Sequence, residues 1–184
     1  QVDTIRISLW GPVTELDTTP LSRAIQRGYL ARISGDNLSD VNAPAKMKDL
    51  GVTVEVVNSS SEADYTDFIQ LEAVCSAGKI SSVSGTVMGK ECSPRLVGYN
   101  GRSIEANLDG NLLILENRDT PGIVGILGTI LGRDKVNIAN MSLSRAVDQG
   151  FALTIFELDT SPSREATSEI LANPDIRDLV FVLV

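Results

Sequence analysis

Residues 115–145 read LENRDTPGIVGILGTILGRDKVNIANMSLSR. An apolar run over 111–117 has the length of a strand and breaks into Asn117-Arg118-Asp119-Thr120. Pro121-Gly122 follows, and glycines recur at 122, 125, 128 and 132. A phosphate loop needs G-x-x-x-x-G-K-[ST], and a dinucleotide fingerprint needs G-x-G-x-x-G. Neither spacing is present in this stretch. Ile123, Ile126, Leu127, Ile130 and Leu131 instead recur near the helical period. Pro121 is expected to open the helix and Gly132 to stop it. Each glycine inside a helix costs about 1 kcal/mol against alanine, so several in one helix point to a steric need. Close packing against a sheet or a partner helix explains them better than a phosphate cradle.

Residues 136–144 read as the next strand, 146–150 as a turn and 151–158 as another strand. Ser161-Pro162 is expected to start a second helix running to about Ala172, and IRDLVFVLV closes the chain as a strand. The order strand, helix, strand, strand, helix, strand is the split βαβ, or ferredoxin-like, arrangement. Its helices cover one face of the sheet, so the other face should alternate to polar. LLIL and LVFVLV are apolar on both sides, so a second copy or another part of this chain is expected to cover the open face.

The first half is a separate α+β region, with a domain boundary expected at 109/110: domains 1–109 and 110–184. TIRISLWG alternates like a strand. TTPLSRAIQRGYLARI reads as a helix with Thr19 as cap and Pro20 in its first turn, and VNAPAKMKDLG as a shorter helix ending at Gly51. Four segments rich in β-branched residues follow, with hairpin-like breaks at SAGK and YNGR.

Composition narrows the function. The 184 residues carry a formal net charge of −8, the opposite of the basic stripe a nucleic-acid binder shows. No apolar run approaches the ~20 residues of a membrane span. Two cysteines fit a reducing cytoplasm, and Cys75 and Cys92 read as buried small apolar residues. With no histidine, a Ser-His-Asp apparatus and a His-based metal site are excluded, and no catalytic set or metal site can be assembled. The chain starts at Gln1, which reads as a fragment or processed product.

One constellation carries binding chemistry. Asn117, Arg118, Asp119 and Thr120 stand between a strand end and a helix N-terminus, whose free N–H groups favour an anion. Asp119 is a counter-charge for an ammonium, and Asn117 and Asn137 offer carboxamides. That set suits a small zwitterion such as an amino acid. Helix capping by Asp119 or Thr120 and a turn at Asn137 explain the same residues equally well. Lys90, Arg95 and Arg102 form a second candidate, for an anionic metabolite, against the plainer reading of a solvated face. Asp64 and Asp67 show no sign of acid/base tuning.

ENRDTPGIVGILGTILGRDKVNIANMSLSR resembles an ACT domain, the amino-acid-sensing βαββαβ module, and more narrowly the one that ends D-3-phosphoglycerate dehydrogenases. DTTPLSRAIQRGYL, VNAPAKMKDLGV, SGTVMG and PRLVGYNG are similar to the intervening, allosteric substrate-binding domain of the long form of that family. The resemblance covers nearly the whole chain. It implies a parent enzyme that oxidises 3-phosphoglycerate with NAD in the first step of serine biosynthesis. It also implies that the domains doing so are absent here, leaving a cytoplasmic regulatory fragment, inactive alone and without cofactor. By resemblance, L-serine binds at interfaces between ACT domains of a homodimer or tetramer, at positions matching Asn117, Asp119, Gly122, Ile123 and Asn137. The same resemblance places an anion on the intervening domain through basic residues, one matching Arg95 and another falling near the uncharged Asn107, with Arg102 as a further candidate. Two rival readings are an effector-free oligomerisation module and the regulatory region of a serine dehydratase.

Overall fold

The computed structural model describes residues 2–33, 37–145 and 150–184, in an α+β arrangement of two compact units. The first comprises 1–92 with Tyr99–Gly101, and the second Ser93–Gly98 with Arg102–Val184. The expected boundary at 109/110 therefore falls inside the second unit, which also holds most of the hairpin before it.

In the first unit β1 (Val2–Trp10) lies between β2 (Thr53–Ser59), parallel to it, and β3 (Phe68–Cys75), antiparallel to it. β4 (Ile80–Met88) pairs antiparallel with β3. The alternation of β1 sends Ile5, Ile7 and Leu9 inward, all buried. They pack with Leu30 of α1 (Thr19–Leu30) and Ala43 and Met47 of α2 (Ala43–Asp49). On the opposite face Arg6 stands in register with Glu55 of β2 and Glu72 of β3, and pairs with both, at 3.1 and 3.5 Å.

Helix ends differ from expectation by small steps. The cap of α1 is Thr18, and the Asp17 carboxylate accepts from the Thr19 N–H at 3.0 Å. Thr19 is already helical because Asp17 supplies the oxygen that a capping side chain would. Gly51 does end α2, at φ 72°. Cys75 is half-buried and Cys92 is exposed, so neither is the fully buried residue expected.

The second unit contains β7 (Asn111–Arg118), α3 (Ile123–Arg133), β8 (Ile138–Arg145), β9 (Phe151–Leu158), α4 (Arg164–Leu171) and β10 (Ile176–Leu183), in the expected order. The sheet order is β10-β7-β9-β8, all pairs antiparallel. Leu113 and Leu115 of β7, Phe156 and Leu158 of β9, and the inner sides of α3 and α4 make one core. Pro121 does not open α3; Gly122 caps it at φ 95°, a conformation open to glycine. Gly132 does not stop it either: Lys135, at φ 58°, makes the left-handed exit. α4 starts after Ser163, whose Oγ accepts from the Ala166 N–H at 3.1 Å. Of the expected turn over 146–150, residues 146–149 lie outside the described residues.

The open face of this sheet is covered from within the unit. β5 (Ser93–Tyr99) and β6 (Arg102–Asn107) form a hairpin across Asn100-Gly101, both at positive φ as a type I′ turn requires. Ile104 and Ala106 are buried, as are Leu112, Ile114, Leu153 and Ile155. Arg102 pairs with Glu116 of β7 at 2.9 Å, and Ser142 of β8 donates to the Glu105 carbonyl. Of the two coverings the apolar strands predicted, an intramolecular one is present.

Candidate functional site

Asn117 ends the inward alternation of β7 (Leu113, Leu115, Asn117) and is fully buried. Its Oδ1 accepts from Thr154 Oγ1 at 2.8 Å, and its Nδ2 donates to the Arg118 carbonyl at 2.8 Å. A carboxamide buried there has to be hydrogen-bonded, and Thr154 of the neighbouring strand is placed to do it. Asn117 thus holds the loop and presents nothing outward. The loop is pinned again where the Asp119 N–H donates to the Gly150 carbonyl at 3.0 Å. The Asp119 carboxylate meets Arg145 Nε, at the end of β8, at 3.1 Å. Ile123 is buried in the core, so it can offer a ligand only its backbone. Among the described residues no side chain caps α3. The Ile123 N–H donates to the Thr120 carbonyl at 3.5 Å, and the N-terminus of α3 follows Asp119 in the same loop.

Asn137 is elsewhere. It precedes β8, and its Nδ2 donates to Asp159 Oδ2 at 2.7 Å. β9 runs between β7 and β8, so these two strands are not neighbours. Asn117 stands opposite Ala152 and Ile138 opposite Leu158, at the two ends of β9. At about 3.3 Å per residue that is roughly 20 Å. One chain brings Asn117, Asp119, Gly122 and Ile123 to one end of the sheet and leaves Asn137 at the other.

In the second candidate set Arg102 is ion-paired with Glu116, while the buried Nε of Arg95 has no hydrogen-bond partner among the described residues. Arg95 lies by Glu157, a buried carboxylate that accepts from the Asn107 N–H at 2.8 Å, Asn107 Nδ2 at 2.6 Å and Asn140 Nδ2 at 3.0 Å. Burial alone would raise the Glu157 pKa; these hydrogen bonds and the charge of Arg95 outweigh it and leave the pKa below the usual glutamate value. Each arginine thus has a carboxylate of the same unit beside it. Thr154, Arg145, Asp159 and Glu157 went unmarked in the sequence reading. Only strand register brings them beside Asn117, Asp119, Asn137 and Asn107.

The α3 glycines lie along a helix, with no described atom within 4 Å of a Cβ built at 122, 125, 128 or 132. Among the described residues they pack on no sheet. Gly122 stands in the turn from β7 to α3, but the further glycines that bring a turn close to a dinucleotide pyrophosphate are missing from that turn, so the segment does not fit NAD.

Residues 1–100 match the D-3-phosphoglycerate dehydrogenase intervening domain. The chain belongs to the D-3-phosphoglycerate dehydrogenase family. The D-3-phosphoglycerate dehydrogenase of Mycobacterium tuberculosis is 29% identical over 178 residues, 97% of this chain and 34% of that protein. That of Bacillus subtilis is 28% identical over 175 residues, 95% of this chain and 33% of that protein. The chloroplastic D-3-phosphoglycerate dehydrogenase 2 of Arabidopsis thaliana is 33% identical over 181 residues, 91% of this chain and 28% of that protein. The chain spans about a third of the length of these relatives. Among the described residues no helix is long and apolar enough to cross a membrane.

Proposed function

We propose that this chain is the regulatory region of a cytoplasmic D-3-phosphoglycerate dehydrogenase, and that its second unit is an ACT domain binding L-serine between two copies. The parent would oxidise 3-phosphoglycerate with NAD through parts of the protein other than this region. The observation that carries the serine reading is the Asp119–Arg145 contact, which sets the end of the edge strand β8 beside the loop after β7. A second copy added antiparallel along that edge, about a two-fold axis, brings its own Asn137 to this corner. Asp119 would then take the serine ammonium, the α3 N-terminus its carboxylate and the second copy's Asn137 its remaining polar atoms. Displacing Arg145 costs little, because an exposed ion pair is worth about 0–1 kcal/mol. Asn117 acts by positioning the loop. Serine favours whichever arrangement of copies it binds more tightly.

Calorimetry with L-serine tests this. Binding should be lost in Asp119→Ala and in Asn137→Ala. A one-to-one mixture of the two variants should regain about a quarter of the sites, since a mixed dimer holds one intact site of two. Absence of heat in the wild-type chain, or an Asp119→Ala variant that binds as wild type, would falsify the reading.

One observation favours a second reading, an oligomerisation module without effector. Asn117 and Asp119 both have partners inside the chain. A tight dimer in sedimentation that takes up no amino acid would select it. A serine dehydratase origin has the family match against it.

A further inference from the structure

We propose that a cavity in the first unit, between α1 and the β3–β4 part of its sheet, is a binding site for a small, neutral, largely apolar molecule with a hydrogen-bonding group. It is separate from the amino-acid site proposed above, and its volume is about 430 Å³. Pockets that take small organic molecules run from about 300 to 1,000 Å³ and are mostly apolar with a few polar groups.

The sheet supplies the floor. Ala73 and Leu71 of β3 stand opposite Ser81 and Val83 of β4, and face the same way as Ile5 of β1. α1 supplies one wall, through Ile25, Gly28 and Tyr29. The turn residue Asn100 supplies the facing wall. It is fixed by two hydrogen bonds to the Ser82 backbone, one donated by the Asn100 N–H at 2.7 Å and one accepted by its Oδ1 at 3.0 Å.

Two features point to a ligand rather than a packing gap. Gly28 sits inside a 12-residue helix, where glycine is disfavoured by about 1 kcal/mol against alanine. A Cβ there would meet no described atom within 4 Å, and Gly28 lines the cavity. The chemistry of the lining also selects its occupant. The charged residue of the lining, Glu72, turns its carboxylate to Arg6 on the other face of the sheet. An ion would find no partner there, whereas Ser81 and the Tyr29 phenol offer neutral polar groups. Burial raises the Tyr29 pKa, so the phenol stays protonated at neutral pH.

The test is a fluorescence titration of the whole chain with N-phenyl-1-naphthylamine, a neutral apolar probe, followed by displacement with indole. Saturable binding of one equivalent is expected, with displacement. Gly28→Phe fills the cavity from the helix and should weaken binding at least about tenfold with an unchanged far-UV spectrum. Val83→Phe fills it from the floor and serves where the first variant does not fold. No saturable signal in the wild-type chain overturns the proposal. So does binding that survives both substitutions, because the probe is then on another surface. Loss of serine binding leaves this result untouched, since Asp119 and Asn137 lie in the other unit.

Discussion

Asn117 Oδ1 accepts a 2.8 Å hydrogen bond from Thr154 Oγ1, and both residues are within 1% of complete burial. Two polar side chains in a core satisfy each other, and the loop that follows Asn117 inherits its position. Thr154→Val keeps the shape and removes the donor. We expect it to destabilise the chain by about 1–3 kcal/mol, the cost of a buried acceptor left unpaired. Adding Asn117→Leu should recover part of that loss. Urea unfolding of the two variants measures both effects.

Glu157 predicts a pH dependence. Its folded pKa is lowered, so its contribution is present above the unfolded glutamate pKa and is lost as pH falls through the folded value. Glu157→Gln turns an amide toward the donors of Asn107 and Asn140 and should cost about 1–3 kcal/mol at pH 7. The difference from wild type should shrink from about pH 5 downward. A difference independent of pH would mean that the carboxylate charge is not what Asn107 holds.

Gly128→Ala separates the helix from its surroundings. No described atom lies within 4 Å of the added Cβ, and the backbone there is ordinary helix. Stability in dilute solution should rise by about 1 kcal/mol. If α3 packs against a second copy, sedimentation should show weaker self-association of the same variant. A gain in stability with unchanged association would mean that the glycines serve no interface.

Gly11→Ala should do the reverse. Gly11 has φ 82°, and a Cβ would stand 1.7 Å from the Thr66 carbonyl oxygen. That loop is tied down by the Val13 N–H donating to Asp67 Oδ1 at 3.0 Å and by Thr86 donating to the Asp67 carbonyl, so it cannot simply withdraw. We expect a loss of about 3 kcal/mol or more, from backbone strain and overlap together. The denaturation midpoint of the variant checks it.

Periodicity and turn chemistry, which are local, were enough to read the elements. The alternation of Ile5, Ile7 and Leu9, the helical spacing from Ile123 to Leu131 and the Asn100-Gly101 turn each specify their own structure. So does the requirement that apolar strands be covered on both faces. That Asn117, Asp119 and Gly122 fall between a strand end and a helix N-terminus was legible for the same reason. Which residues meet was not legible, because strand order and register are long-range choices. Only the tertiary structure sets β9 between β7 and β8, which carries Asn137 away from Asn117 and sets Arg145 against Asp119. It also lays residues 93–98 and 102–107 on the sheet of their own unit and pairs Arg102 with Glu116. A side chain's neighbours along the chain are given by its sequence; its neighbours across a sheet exist only once the sheet has closed.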